Sequence, residues 1–214
     1  MQRTTERIKI NIKVFDPVES KKIRDILKRD GVIIYPTETL YGLGGDCFSQ
    51  KVIKRIFAIK YRNLSKPLSV VVSDLDMMDK IVKEKPITFN KIVQNFWPGA
   101  LTLVLKAAPL LPSELLGPGG TIAVRQTGLA WLRWLISSCG FPLISTSANV
   151  SGQPSVLKPD QAYALFKGKV DLVIDGGRLT GDRPSTIVDL TPPEPKILRE
   201  GVISKEELLP YLGE

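Results

Sequence analysis

At 214 residues, 43% of them hydrophobic, the chain is long enough to bury a sizeable core and fits one domain over residues 1–214 better than two. A net charge of +8 and a pI of about 9.5 suit an anionic partner such as phosphate, nucleotide or RNA, and equally a solvated lysine-rich surface. The chain has no histidine, which excludes imidazole general bases, Ser-His-Asp and Cys-His catalysis, and histidine-ligated zinc at once.

The opening "MQRTTERIKINIKVF" is charged and alternating, unlike a signal peptide. Within it Ile8, Ile10, Ile12 and Val14 have the period of a half-buried strand. "VESKKIRDILKRDG" has helical spacing at Ile23, Ile26 and Leu27, with Gly31 as its stop. "GVIIYPT" is a predicted strand, and "ETLYGLGGDC" a glycine-rich loop after it. A helix follows through Val52, Ile53, Ile56 and Phe57, then the strand "PLSVVV" and two helices, "DLDMMDKIVK" and "TFNKIVQNFWPG". "ALTLVLKA" is a strand, "PLLPSELLGPGG" a proline- and glycine-rich loop with the look of a lid, and "TIAVR" a strand. "LAWLRWLISSCG" is a helix, and "FPLISTSAN" a strand that ends in a hydroxyl-rich loop. The remainder predicts helix "KPDQAYALFKG", strands "VDLVIDGG", "STIVDLT" and "KILREG", and the terminal helix "SKEELLPYL". Interleaved strands and helices with several strand-to-strand steps predict an α/β domain around a mixed, twisted sheet. No apolar run reaches the roughly 18 residues of a membrane span. The two cysteines, Cys47 and Cys139, lack CxxC neighbours and point to a reducing, cytoplasmic setting.

Polar clusters gather at predicted strand ends, where open α/β sheets bind ligands. They are Thr37, Glu38 and Thr39 of "PTET"; Lys60, Arg62 and Lys66 of "KYRNLSKP"; and Thr121 and Arg125 of "TIAVR". Ser145, Ser147, Asn149 and Ser155 come from "STSANVSGQPS", with Ser185 and Arg199 later in the chain. Taken singly, the basic cluster reads as a solvated helix end, and "STSAN" as a capping turn. The glycines form neither a Walker A loop nor a dinucleotide fingerprint. Arg125 is different, because it ends an apolar run where a half-buried guanidinium wants a carboxylate or phosphate. Together the clusters offer hydroxyls, amides and five cations, an inventory suited to phosphates and a small carboxylate.

The ordered series "YPTETLYGLGGD", "KYRNLSKPL", "WPGALTLVL", "TIAVRQ", "PLISTSANVSGQPS", "PSTIVDL" and "ILREG" resembles the threonylcarbamoyl-AMP synthase family of YrdC type, over a motif-bearing core of about 31–201. Longer members carry an extra C-terminal domain, and a chain ending at Glu214 resembles the short form. The resemblance implies a twisted α/β sheet with a deep basic cavity. It implies synthesis of threonylcarbamoyl-AMP from L-threonine, bicarbonate and ATP, with release of pyrophosphate and with magnesium held by the ATP phosphates rather than by side chains. Partner transferases would then modify tRNA at position 37. By motif position Arg62, Lys66, Thr121, Ser147, Ser155 and Arg199 would contact ATP, and Lys60 would face its phosphates. Thr39, Arg125, Ser145 and Ser185 would hold threonine. Asn63 stands where the family commonly has proline, and Cys47 replaces a small residue; the latter reads as a packed thiol. The alternatives are a non-catalytic basic RNA-binding module, which would need stacking aromatics that 7% aromatic content does not favour, and a carbamoyl-transfer domain of a larger hydrogenase-maturation protein. RNA contact as a secondary activity stays open.

Overall fold

A computed structural model describes residues 4–14, 16–63, 66–181 and 183–213. Leu64 and Ser65 of "KYRNLSKPL", and the terminal Glu214, lie outside the described residues.

The strands divide between two sheets. The first holds β1 (Glu6–Lys9), β2 (Ile33–Tyr35), β3 (Gly42–Gly44), β9 (Thr146–Ser147) and β10 (Leu172–Asp175), in the order β1-β10-β2-β3-β9. The second holds β4 (Ser69–Val72), β6 (Leu101–Ala107), β7 (Thr121–Gln126), β8 (Leu143–Ile144), β11 (Thr186–Asp189) and β12 (Lys196–Arg199), in the order β12-β11-β6-β7-β4-β8, with β5 (Val82–Glu84) beside β6. Both sheets are mixed: β1, β10 and β2 run parallel and β3 antiparallel to β2, while β11–β6 and β7–β4 are parallel pairs joined by the antiparallel β6–β7 pair. The expected α/β architecture is present.

Helices form where apolar spacing and caps agree. In α1 (Pro17–Leu27), Asp16 accepts from Val18 N at 2.7 Å and Glu19 N at 3.1 Å, and Ile23 and Leu27 enter the core. α2 (Gln50–Lys60), α4 (Thr88–Phe96) and α5 (Ala130–Cys139) also bury one face each. α6 (Pro159–Phe166) and α7 (Lys205–Leu212) complete the covering; α7 opens on a capping box between Ser204 and Glu207. Among the described residues no helix is long and apolar enough to cross a membrane.

Three expectations are corrected. The first strand stops at Lys9, because Asn11 closes a turn by accepting from Lys13 N (side chain) and Val14 N (backbone), and Val14 is exposed. "DLDMMDKIVK" is helical only in α3 (Leu75–Asp79); Val82 then leaves to pair with Ala107 as β5. The glycine-rich "GLG" is a strand rather than a loop. A Cβ on Gly44 would sit 1.7 Å from the Ile144 carbonyl oxygen, so only glycine lets β3 pass β8 this closely.

Candidate functional site

A cavity of about 790 Å³ opens between the two sheets. Its lining comes from successive strand ends and the loops beyond them. Period-two alternation on the second sheet presents Thr102 and Val104 of β6 and Ala123 and Arg125 of β7, and β4 adds Ser69, Val70 and Val71. Thr37, Thr39 and Gly42 form the opposite wall, with Ser145, Ser147 and Ser155 from the later hydroxyl-rich loop. Arg62 and Lys66 enter after α2, Pro184 and Ser185 from the turn before β11, and Arg199 from the end of β12. Four cationic side chains and no acidic one stand among these lining residues.

Arg125 is 5% exposed. Its Nη1 donates to Thr39 Oγ1 at 3.3 Å and lies 3.5 Å from Glu38 Oε1. Thr39 is in turn paired with Thr37, the two hydroxyl oxygens being 3.0 Å apart. Arg199 donates from Nε and Nη2 to the Ser185 carbonyl at 3.2 and 2.8 Å. The Ser185 hydroxyl is 2.8 Å from that of Thr102. Burial, and then repulsion by Arg125, lowers the Arg199 pKa from its ordinary value. Arg199 counts as exposed surface because it faces the open cavity, yet protein crowds its other sides. Two guanidiniums that repel one another across a cavity favour an anion between or beside them.

Arg62 donates from Nε to Lys66 O at 3.0 Å and from Nη2 to Pro67 O at 2.8 Å, so it braces the loop that carries Lys66, and burial lowers its pKa. Lys66 is exposed and lines the cavity. Ser147 donates to Asn149 Oδ1 at 2.7 Å. Ser145 N donates to Ser69 O at 2.7 Å, and the Ser69 hydroxyl returns a bond to Ser145 O.

Two residues expected in the site are absent from the cavity lining. Lys60 is 1% exposed and absent from the lining. Its ammonium donates to the Ser147 carbonyl, and to Asn149 O and Asn149 Oδ1 at 2.8 Å each. Burial, then the charge of Arg62, lowers it to about 7. It therefore clamps the "STSAN" loop from behind, the last turn of α2 pointing its side chain toward backbone oxygens instead of the cavity. Thr121 shares a β7 face with Ala123 and Arg125 but is outside the lining, its hydroxyl donating to Pro118 O at 3.2 Å. The "PLLPSELLGPGG" segment adds no lining residue and is anchored by the buried Leu111 and Leu115. Cys47 is fully buried, and burial raises its thiol pKa well above the ordinary range.

Sequence reasoning passed over Thr102 as a site residue and gave Glu38 and Asn149 no role. The signal for Thr102 was a threonine at an inward position of the apolar "ALTLVLKA". For Glu38 it was an acid between two threonines at a strand end, opposite an arginine at another.

The Sua5/YciO/YrdC family, described as "Telomere recombination", matches residues 25–201. A threonylcarbamoyl-AMP synthase of Pyrococcus abyssi is 34% identical over 208 residues, which is 96% of this chain and 61% of that protein. A threonylcarbamoyl-AMP synthase of Bacillus subtilis is 32% identical over 189 residues, 88% of this chain and 55% of that protein. The crystal structure of P. abyssi Sua5 complexed with L-threonine aligns with a TM-score of 0.91 at 30% identity, over 98% of this chain and 61% of that one. The chain thus spans 55–61% of the length of these relatives.

Proposed function

This chain belongs to the Sua5/YciO/YrdC family, and from that premise we propose that it is an L-threonylcarbamoyladenylate synthase. The observation that carries the proposal is the cavity itself, lined by hydroxyls and four cations with no carboxylate among them, in a chain whose relatives bear that name. Such a lining suits a triphosphate and an amino-acid carboxylate together.

In the reaction, the unprotonated amine of L-threonine adds to bicarbonate carbon. A C–N bond forms, and one bicarbonate oxygen departs as water with the amine proton. A carbamate oxygen then attacks the α-phosphorus of ATP, and the bond to the bridging oxygen breaks to release pyrophosphate. Arg125 holds the threonine carboxylate, with Thr39, Ser145 and Ser185 around it. Arg62, Lys66 and Arg199, with Ser147 and Ser155, neutralise and position the phosphates. Lys60 serves them by holding Ser147 and Asn149 in place. Thr121, the other residue assigned to ATP by motif, would have to turn its hydroxyl away from Pro118 to reach the nucleotide. The cavity's side chains do not suit a bare dication, and among the described residues no three metal-ligating side chains gather. Magnesium would enter on the ATP phosphates, as this ion ordinarily does. The adenylate would pass to transferase partners that modify tRNA.

The test is incubation with ATP, bicarbonate and single amino acids while pyrophosphate is followed. Release that requires bicarbonate and L-threonine is the expected result. Release indifferent to the amino acid, or none at all, overturns the proposal.

A further inference from the structure

Glu38 lies outside the cavity lining, yet it is built into the support of Arg125. Its side chain is 17% exposed and that of Arg125 7%. Among the described residues both polar contacts of Arg125, to Glu38 Oε1 at 3.5 Å and to Thr39 Oγ1 at 3.3 Å, end on Nη1. One edge of the guanidinium is thereby tethered, while Nε and Nη2 carry no such contact.

The carboxylate that does the tethering is itself fixed. Glu38 Oε2 accepts from Thr127 Oγ1 at 2.8 Å, and Oε1 accepts from Gly128 N at 3.0 Å. Thr127 is fully buried, and Arg133 Nη1 clamps the same turn by donating to Thr127 O at 2.8 Å and Gly128 O at 2.9 Å. A chain of contacts therefore runs from α5 through the 127–128 turn and Glu38 to Arg125. Two neutral donors would satisfy Glu38 as a loop staple. The guanidinium at its other side is the part that a staple alone does not need.

We propose that Glu38 is a positioning residue, aiming the free edge of Arg125 at the substrate carboxylate. The inference rests on the synthase reading above. Parallel hydrogen bonds between guanidinium and carboxylate require the two planes to align, so an arginine held at one nitrogen is aimed where an untethered one is not. The charge of Glu38 also repels the substrate carboxylate across Arg125, and Arg199 nearby offsets part of that repulsion. The proposal requires aim to outweigh repulsion.

The experiment compares wild type with Glu38→Gln and Thr127→Val by steady-state kinetics of threonine-dependent pyrophosphate release. Glutamine keeps the shape and an acceptor for the turn but loses the charge. Glu38→Gln should raise the KM for L-threonine about tenfold, while kcat and the KM for ATP stay within about twofold. Thr127→Val, which loosens Glu38 without touching Arg125, should shift the threonine KM in the same direction by less. If Glu38→Gln does not fold, the Thr127→Val result decides alone. An unchanged or lowered threonine KM, or threonine and ATP constants rising together, overturns the positioning role. Wild-type protein with no threonine-dependent turnover removes the synthase reading and this inference with it.

Discussion

Lys60 at the end of α2 and Arg125 in β7 are both buried cations, 1% and 5% exposed, and they have opposite surroundings. The ammonium of Lys60 is surrounded by oxygen atoms of the protein, two backbone carbonyls and a side-chain amide. Arg125 is touched at one nitrogen and faces a cavity. Burial alone does not mark a ligand-binding charge. What distinguishes the two is whether the donors have already found protein acceptors.

The comparison can be broken most sharply at Lys60. Lys60→Met keeps the volume but strands the Asn149 carbonyl, and removes one of two donors from the Ser147 carbonyl and from Asn149 Oδ1. Stability should fall by about 3 kcal/mol, the upper end of the about 1–3 kcal/mol that one stranded buried acceptor costs, because the Ser147 carbonyl and Asn149 Oδ1 each lose a donor as well. Urea unfolding measures it, and a variant as stable as wild type would make Lys60 a cation free for phosphate. The same titration carries a pH signature. The folded ammonium is lowered from the ordinary 10.5 to about 7. Between those values the unfolded chain holds a proton that the folded chain releases, so wild-type stability should rise with pH across that window. Below it both states are protonated and the cost of burying the charge is fully present; above it that cost is gone. Lys60→Met should lack this part of the slope.

Arg125→Ala comes next. The fold and ATP affinity should survive, while threonine affinity drops by about 3 kcal/mol, roughly a hundredfold in Kd. Glu38 then keeps its bonds to Thr127 and Gly128, which is why the fold should tolerate the loss. Arg125→Lys should also weaken threonine binding, because it keeps charge but not the fork. Paired calorimetric titrations on one folded variant decide, and intact threonine binding would put Arg125 with the structural cations. The smallest effect is expected at Lys66→Ala. This exposed side chain should lose about tenfold in ATP affinity with no change in melting temperature, and an unchanged ATP Kd would return it to the solvated helix end that its sequence context allows.

The long apolar runs were legible because each carries one period throughout: β6, β7 and α5 lie where "ALTLVLKA", "TIAVR" and "LAWLRWLISSC" predict them. β3 was not, because its two glycines weaken strand propensity; Gly44 admits the Ile144 carbonyl, a contact 100 residues distant in the chain, and Gly42 lies against the Tyr35 ring. β5 was hidden because Met77, Met78, Ile81 and Val82 fit a helical face, and the pairing of Val82 with Ala107 is a tertiary decision. In the site, the arginine ending "TIAV" announced itself by breaking an apolar pattern. Lys60 did not, since spacing along α2 cannot tell a lysine that faces a cavity from one turned onto a neighbouring loop.

β8 and β9 belong to different sheets: Ile144 pairs with Val70 in the second, Thr146 with Leu43 in the first. A single residue, Ser145, crosses between them, and next to it Gly45 O accepts from Ile144 N and Pro142 O from Cys47 N. The sheets are thus stitched along this seam, with Ser145 and Ser147 on the stitch, and joined again where Thr39 and Glu38 meet Arg125 and the 127–128 turn. A hinge with a one-residue pivot resists sliding and permits little beyond a small change of angle. On the proposed reading, widening of the cavity to admit a nucleotide would come from the side where Lys66 and Ser155 line it, while the seam hydroxyls would keep their spacing as fixed points for the substrates.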